Sequence, residues 1–392
     1  MKVGKRDQQG DGWILRVLIL AAVLAVVSAG PPAWAGPQPT GGSDQIAYVD
    51  SKNVLWLSEW NGARKKRLVG ADKCIPYSGL LWSPVGDRLA CYREERAHVG
   101  PSDFNQVTIV HIARGLLRNI QWVGGFDWSP TGRHMAYEIS TRGGKGDVNN
   151  LFVADADGRV RMRVDRITGS FAWSPDGTAL AYATAQGRIR LYEVATNRRR
   201  HVAAEFDSVL AWVQGGAALI VGKRMGYDLD HFLIELSTGK VRGLGWLDNR
   251  HYWLSSDGRR VVFTGDNQLN IVELSNLRMI SIEGSTYRTL GDGDISVWSV
   301  GFSRASQVYW LDYLGSGSTA IYRAQSDGSG LTRLATLPGL GLEFSPDLSK
   351  VAYTTHPTDI LWTATIEGTI RHKIGPVPKE GDSVSWRPVV RQ

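Results

Sequence analysis

Trp173-Ser174-Pro175-Asp176-Gly177 is the clearest copy of a turn that recurs eight times along this 392-residue chain. Each copy opens on an aromatic or apolar residue: Trp82, Trp128, Trp173, Trp212, Leu254, Phe302, Phe344 and Trp386. In such a turn Pro presets φ, Asp bonds its own downstream backbone, and Gly supplies the positive φ at which two strands reverse. The intervals between anchors are 46, 45, 39, 42, 48, 42 and 42 residues, a mean of about 43, which is the length of one four-stranded propeller blade. The spacing predicts an all-β chain, an eight-bladed β-propeller of four-stranded blades.

Gly86, Gly132, Gly177, Gly216 and Gly258 each stand four residues after their anchor. Ser306, Leu348 and Val390 hold that place in the later copies, so those turns are expected to close differently. Eight residues after the anchor comes a small or branched residue and then an aromatic one: Ala136-Tyr137, Ala181-Tyr182, Val262-Phe263 and Ala352-Tyr353. These pairs read as second strands packed between blades. Third strands follow at Val107 to Ile112, Leu151 to Ala154, Ile189 to Val194, Phe232 to Leu236 and Leu269 to Leu274. In one fourth strand Val160, Met162 and Val164 alternate with Arg159, Arg161 and Arg163, the period-two pattern of a strand with one wet face.

The two ends decide the blade count. Trp386-Arg387-Pro388 is a first strand with nothing after it, and Ile46 to Val49 with Val54 to Leu57 are second and third strands with no first strand before them. Pairing the terminal strands completes one blade and closes the ring without a free edge. The copies at Trp212, Leu254 and Phe302 are the weakest, and seven blades is the alternative. The propeller accounts for residues 45–392, preceded by a Gly- and Pro-rich leader over 36–44, with no length left for a second domain.

Residues 1–35 read as a signal peptide. Lys2, Lys5, Arg6 and Arg16 precede an apolar run from Val17 to Ala29, and Ala33-Trp34-Ala35 places small residues where a signal peptidase reads. The run is shorter than the about 20 residues of a membrane-spanning helix. Cleavage after Ala35 is expected, giving an extracytoplasmic protein, secreted or associated with the cell envelope, with no stable membrane insertion; an uncleaved anchor is the alternative. Losing that segment lowers the net charge from +7 to +5. Outside the cytoplasm a basic surface meets anionic envelope polymers, phospholipid headgroups or acidic proteins rather than nucleic acid. The runs Arg64-Lys65-Lys66-Arg67 and Arg198-Arg199-Arg200 fall at outer-strand positions, where charge blunts a sheet edge.

Cys74 and Cys91 invite a disulfide in an exported chain. Register argues against it. A tight hairpin at Ser83 to Gly86 sets Cys91 opposite Gly79, which leaves Cys74 about 16 Å away along the strand, beyond the roughly 7 Å that a bridge spans. Cys91 is therefore expected to be a buried thiol in the slot that Tyr137, Tyr182 and Tyr353 fill elsewhere.

Catalytic signatures are absent. The sequence has no G-x-S-x-G elbow, no H-E-x-x-H, no C-x-x-C and no complete EF-hand loop. Asp155-Ala156-Asp157-Gly158 lacks the downstream acidic ligands of a calcium site and reads as a hairpin turn. The eight histidines have no chelating spacing, although His98, His251 and His356 fall in loops of one face. No catalytic residue, metal or cofactor is expected. That face, which carries the connections between blades and between second and third strands, also has the longest loops. Arg224, Tyr227, Trp246, Arg250, His251, Tyr287 and Arg288 come from three successive loop regions and are the expected aromatic and cationic binding surface.

The W-S-P-D-G anchors, the A-Y second strands and Ile321-Tyr322 with Ser326-Asp327-Gly328 and Leu331 resemble the WD40-like (PD40) repeats of the TolB-type propeller family. The likeness spans the chain after the leader and implies the propeller fold. Members of such families serve as exported interaction scaffolds, and similar repeats cap peptidases or form lyases. The separate N-terminal domain of TolB itself has no counterpart here. The expected function is that of a non-enzymatic, monomeric exported propeller that binds a protein, peptide or anionic envelope polymer. The alternative is a carbohydrate-active lyase or hydrolase with its site at the channel mouth.

Overall fold

The computed structural model describes residues 44–71, 73–74, 79–95, 104–121, 123–143, 146–159, 161–225, 228–245, 252–255, 258–265, 268–273, 278–281, 297–303, 305–314, 317–355, 357–378 and 384–388. They form six four-stranded antiparallel sheets and one sheet of seven strands. The seven-stranded sheet is two four-stranded units that share Arg161–Trp173. The first part of that strand pairs with Gly146–Asp155 and the last part with Ala179–Thr184, so a fourth strand runs on into the next first strand without a turn. Every anchor lies on the first strand of its unit. The small-then-aromatic pairs Ala136-Tyr137, Ala181-Tyr182, Val262-Phe263 and Ala352-Tyr353 are all buried, as expected of strands with a sheet packed on both faces.

The terminal strands pair as their sequences require. Val384–Trp386 lies antiparallel to Gln45–Val49, with Trp386 facing Ile46 and Val384 facing Tyr48, and becomes the first strand of the N-terminal sheet. Arg387 Nε also donates to the Gly86 carbonyl in the next sheet (2.7 Å).

The turns are held by the serine after the anchor. Ser174 Oγ accepts from the Ala179 N–H (2.8 Å) and donates to the Asp176 carboxylate (2.6 Å), while Gly177 N–H closes on the Ser174 carbonyl (2.8 Å) at φ 69°. Ser83, Ser129, Ser255 and Ser345 accept in the same way from Arg88, His134, Arg260 and Lys350. These hydroxyls are committed to the turn and buried with it. The expectation of different closure fails at Leu348, whose N–H meets the Ser345 carbonyl (2.8 Å) at φ 60°. Leucine accepts this left-handed conformation because its side chain fills the space left by Gly301. At Ser306 the turn does differ, since Ser303 N–H reaches Gln307 and the loop is one residue shorter. Val390 lies outside the described residues.

The anchors also join neighbouring sheets. The indole N–H of Trp82 donates to the Ser385 carbonyl (3.2 Å), that of Trp128 to Leu81 (3.1 Å), that of Trp212 to Ala172 (2.9 Å) and that of Trp386 to Glu343 (3.3 Å). In each case the acceptor is the residue just before the preceding anchor. A buried indole needs such a partner, and the innermost strand supplies it because its channel-side edge has no neighbouring strand. Trp173 departs from the rule: its indole nitrogen has no partner among the described residues, and its ring lies beside that of His134.

Two sequence expectations are corrected. Cys74 and Cys91 form a disulfide, with Cα atoms 5.7 Å apart. Cys91 faces Leu80 rather than Gly79, and Cys74 stands beside Cys91 instead of farther out along the line of the strand. The Lys73 carbonyl lies 3.0 Å from the hydroxyl of Thr108, the residue paired with Cys91. The wet-face pattern of the Arg159 strand also holds only in part. Val164 is buried, but Met162 is 40% exposed, because a fourth strand lies at the outer edge, where both faces approach solvent.

Candidate binding face

Strands that alternate in direction send the Ser-Pro turns and the third-to-fourth-strand turns to one end, and the longer connections to the other. The turn end packs on itself. A Cβ at Gly86 would collide with the Pro388 carbonyl, and one at Gly132 would lie 3.0 Å from Val85, so consecutive turns overlap around this end.

At the opposite end, Ala218–Met225 and Asp228–Glu235 form a hairpin in which Arg224 faces Leu229. Arg224 is exposed, and its backbone N–H donates to the Asp207 carboxylate (2.6 Å) in the connection from the preceding unit. Lys223 beside it pairs with Glu205 (3.0 Å). The hairpin is therefore tied to its neighbour, which leaves the Arg224 guanidinium as the outward group. Tyr227, Trp246, Arg250, His251, Tyr287 and Arg288 lie outside the described residues, as do His98 and His356. Their strands, Val241–Gly245, Tyr252–Leu254, Arg278–Ser281 and Val297–Phe302, end at this same face.

Sequence reading missed a set of buried and half-buried titratable groups on the strands. Asp127 and Glu343 both stand immediately before an anchor on an innermost strand. Burial pushes the Asp127 carboxyl up to about 7 against a bond from the Trp128 N–H. Burial pushes Glu343 up to about 8, with the Trp386 N–H and the Ser385 hydroxyl partly countering it. One Glu343 carboxylate oxygen is fully enclosed without a partner among the described residues. Burial likewise raises Glu138 to about 7 and Asp312 to about 6, and lowers His231 to about 4. An acidic residue directly before W-S-P or F-S-P was the available signal.

Burial is the first cause of the shift of each of these carboxyls, and no other carboxylate is among the causes. Among the described residues no three His, Cys, Asp or Glu side chains gather as metal ligands. No helix among them is long and apolar enough to cross a membrane.

Glu343 carries a pH prediction. Its folded-state pKa is raised above the unfolded value, so the folded state holds more protons between about pH 4.5 and 8. Stability therefore falls as pH rises through that window. Glu343→Gln keeps an acceptor for the Trp386 N–H and removes the titration. Its urea midpoint should exceed that of the wild type at pH 8.5 and match it at pH 5. An equal difference at both pH values would refute the assignment.

Neither a family model nor a curated protein matches the chain. Solved structures do. A dihydro-heme d1 dehydrogenase is 15% identical over 94% of this chain and 85% of its own, with a TM-score of 0.57. The β-propeller domain of the trilobed protease from Pyrococcus furiosus is 15% identical over 76% of this chain and 98% of its own, at 0.48. TolB from Acinetobacter baumannii is 16% identical over 67% of both chains, at 0.40. At such identities a likeness concerns the fold alone. The repeated four-stranded antiparallel sheets, each with its anchor on the first strand, support a β-propeller fold for this chain.

Proposed function

We propose that this chain is an exported, non-enzymatic propeller of eight blades, closed by the strand Val384–Trp386 and binding a protein, peptide or anionic envelope polymer through the face that holds Arg224. One observation carries the reading: the turn end is packed turn against turn, which leaves the end of long connections as the place where side chains are free to engage a partner. The blade count is supported by eight anchored first strands, with the seven-stranded sheet counted as two units. Export with loss of residues 1–35 is supported by the Cys74–Cys91 bridge, which suits an oxidising compartment.

The test starts from the chain beginning at Gly36, used to capture a partner from an envelope extract and then to titrate that partner at two ionic strengths. Arg224→Ala with Arg250→Ala and Arg288→Ala should weaken binding about tenfold or more and flatten its salt dependence. Arg199→Ala with Arg200→Ala should leave the partner's affinity unchanged. Equal losses from both sets would show that general basic charge, not this face, does the binding.

A further inference from the structure

The positive charge of the chain is not spread around the ring. Residues 104–204 hold 14 Lys and Arg against 8 Asp and Glu, whereas the rest of the chain after residue 35 holds 27 against 28. One of those eight acids, Glu138, is buried, so the excess at the surface is larger than the sequence count.

Nine of the cations belong to three successive outermost strands and the turns that lead into them. They are Arg114 and Arg118 around Gly115–Ile120, Arg159, Arg161, Arg163 and Arg166 around the first half of Arg161–Trp173, and Arg198, Arg199 and Arg200 on Arg198–Ala204. All nine are exposed. The three strands touch. A Cβ at Gly158 would lie 2.9 Å from the Arg118 side chain, and Arg199 Nε donates to the Val164 carbonyl (2.8 Å).

The acids within this belt are already engaged. Asp157 is shared by Arg88, Arg114 and Arg159, and Asp165 is held by Arg190 and the Tyr182 hydroxyl. Arg163, Arg166, Arg198 and Arg200 have no carboxylate partner among the described residues. Edge protection does not account for so many. Counted on the strands alone, Arg161–Trp173 and Arg198–Ala204 carry three cations each, against two on Lys66–Val69 and Arg371–Pro376 and one on Val241–Gly245, Arg278–Ser281 and Thr332–Leu337.

We infer that this Arg belt is a docking surface for a lipid bilayer bearing anionic phospholipid headgroups. Guanidinium forks bind phosphate oxygens in pairs, and no Lys occurs in the belt. Two of the five large apolar side chains most exposed on the described surface, Leu116 (45%) and Met162 (40%), also stand on these strands. A soluble polyanion has no use for them, whereas an interfacial surface combines cations with apolar side chains that enter the headgroup layer. Arg side chains are long and charge acts over a Debye length of about 8 Å, so the flanking strands contribute beside the central one.

The test is cosedimentation of the chain from Gly36, which contains every described strand, with vesicles of phosphatidylcholine alone and with 30% phosphatidylglycerol. The wild type should bind only the anionic vesicles and be released by high salt. Arg163→Ala, Arg166→Ala, Arg198→Ala and Arg200→Ala together should weaken binding about a hundredfold. Lys at the same four positions should restore the salt-dependent part of the binding but not the wild-type affinity, because an ammonium cannot form the bidentate pair, and Ala at Lys52, Lys240, Arg259 and Lys373 should change little. Leu116→Ser with Met162→Ser should make the remaining binding more salt-sensitive. No binding to anionic vesicles, equal losses from both Ala sets, or binding to polyphosphate or DNA without vesicle binding would overturn the assignment. Partner capture by the Arg224 face is unaffected by either result.

Discussion

Trp386→Ala is expected to lower the folding stability by about 3–5 kcal/mol, the range for removing a buried tryptophan. Trp386 is 2% exposed, packs with Ile46, Tyr48 and Ala352, and sits on the strand that completes the N-terminal sheet. Its loss removes core volume where the two ends of the chain meet, so it should loosen the N-terminal sheet as well as the C-terminal strand. Trp386→Phe isolates the indole bond to the Glu343 carbonyl and should cost about 1 kcal/mol beyond the packing loss. Trp173→Phe is the matched comparison, because that indole nitrogen has no partner among the described residues. Urea unfolding followed by fluorescence and circular dichroism gives the ranking. If Trp386→Ala stays within about 1 kcal/mol of the wild type, the terminal strand does not hold the first sheet.

Sequence made the repeat legible because each turn needs particular atoms at fixed places. Serine must accept from the backbone after the turn, and a residue at positive φ must follow, so Ser174 and Gly177 are conspicuous before any coordinates are known. Leu348 shows the limit of that reasoning. A left-handed leucine is unfavourable locally, and only the cavity above Gly301, more than forty residues away in sequence, makes it acceptable. The merged sheet was equally hidden. Strand-forming residues on both sides of Thr168 carry no signal for whether the chain turns between blades or continues straight.

The site was less legible than the fold. Repeat spacing assigned Arg224 to a loop, whereas in the structure it stands exposed on the strand Ala218–Met225, paired with Leu229 near the end of the hairpin. Loop composition alone does not bring side chains together, since their arrangement follows no period. The shifted carboxyls were missed for another reason: Asp127 and Glu343 look like ordinary polar residues in a strand, and only packing of the next sheet takes them partly out of water. The Arg belt lay in plain view as short runs. Its continuity became visible only when three outer strands, separated by dozens of residues, were seen side by side.

Converting Cys74 and Cys91 together to alanine is expected to cost about 3 kcal/mol, the chain-entropy value for a bridge that closes a loop of this length. The two residues are 17 apart in sequence and both are fully buried. Alanine avoids placing a hydroxyl in that site, so the loss reports the cross-link and a small volume change. Dithiothreitol should shift the wild-type urea midpoint toward that of the double variant and leave the variant unmoved. A thiol titration of denatured protein recovered from an oxidising compartment should find no free thiol. Two titratable thiols, with a midpoint indifferent to reductant, would restore the unbridged reading drawn from strand register. That reading assumed a straight strand from Cys74 to Leu80. The Lys73 carbonyl accepts from the Thr108 hydroxyl instead, which sets Cys74 beside Cys91, and it is this placement that the bridge fixes.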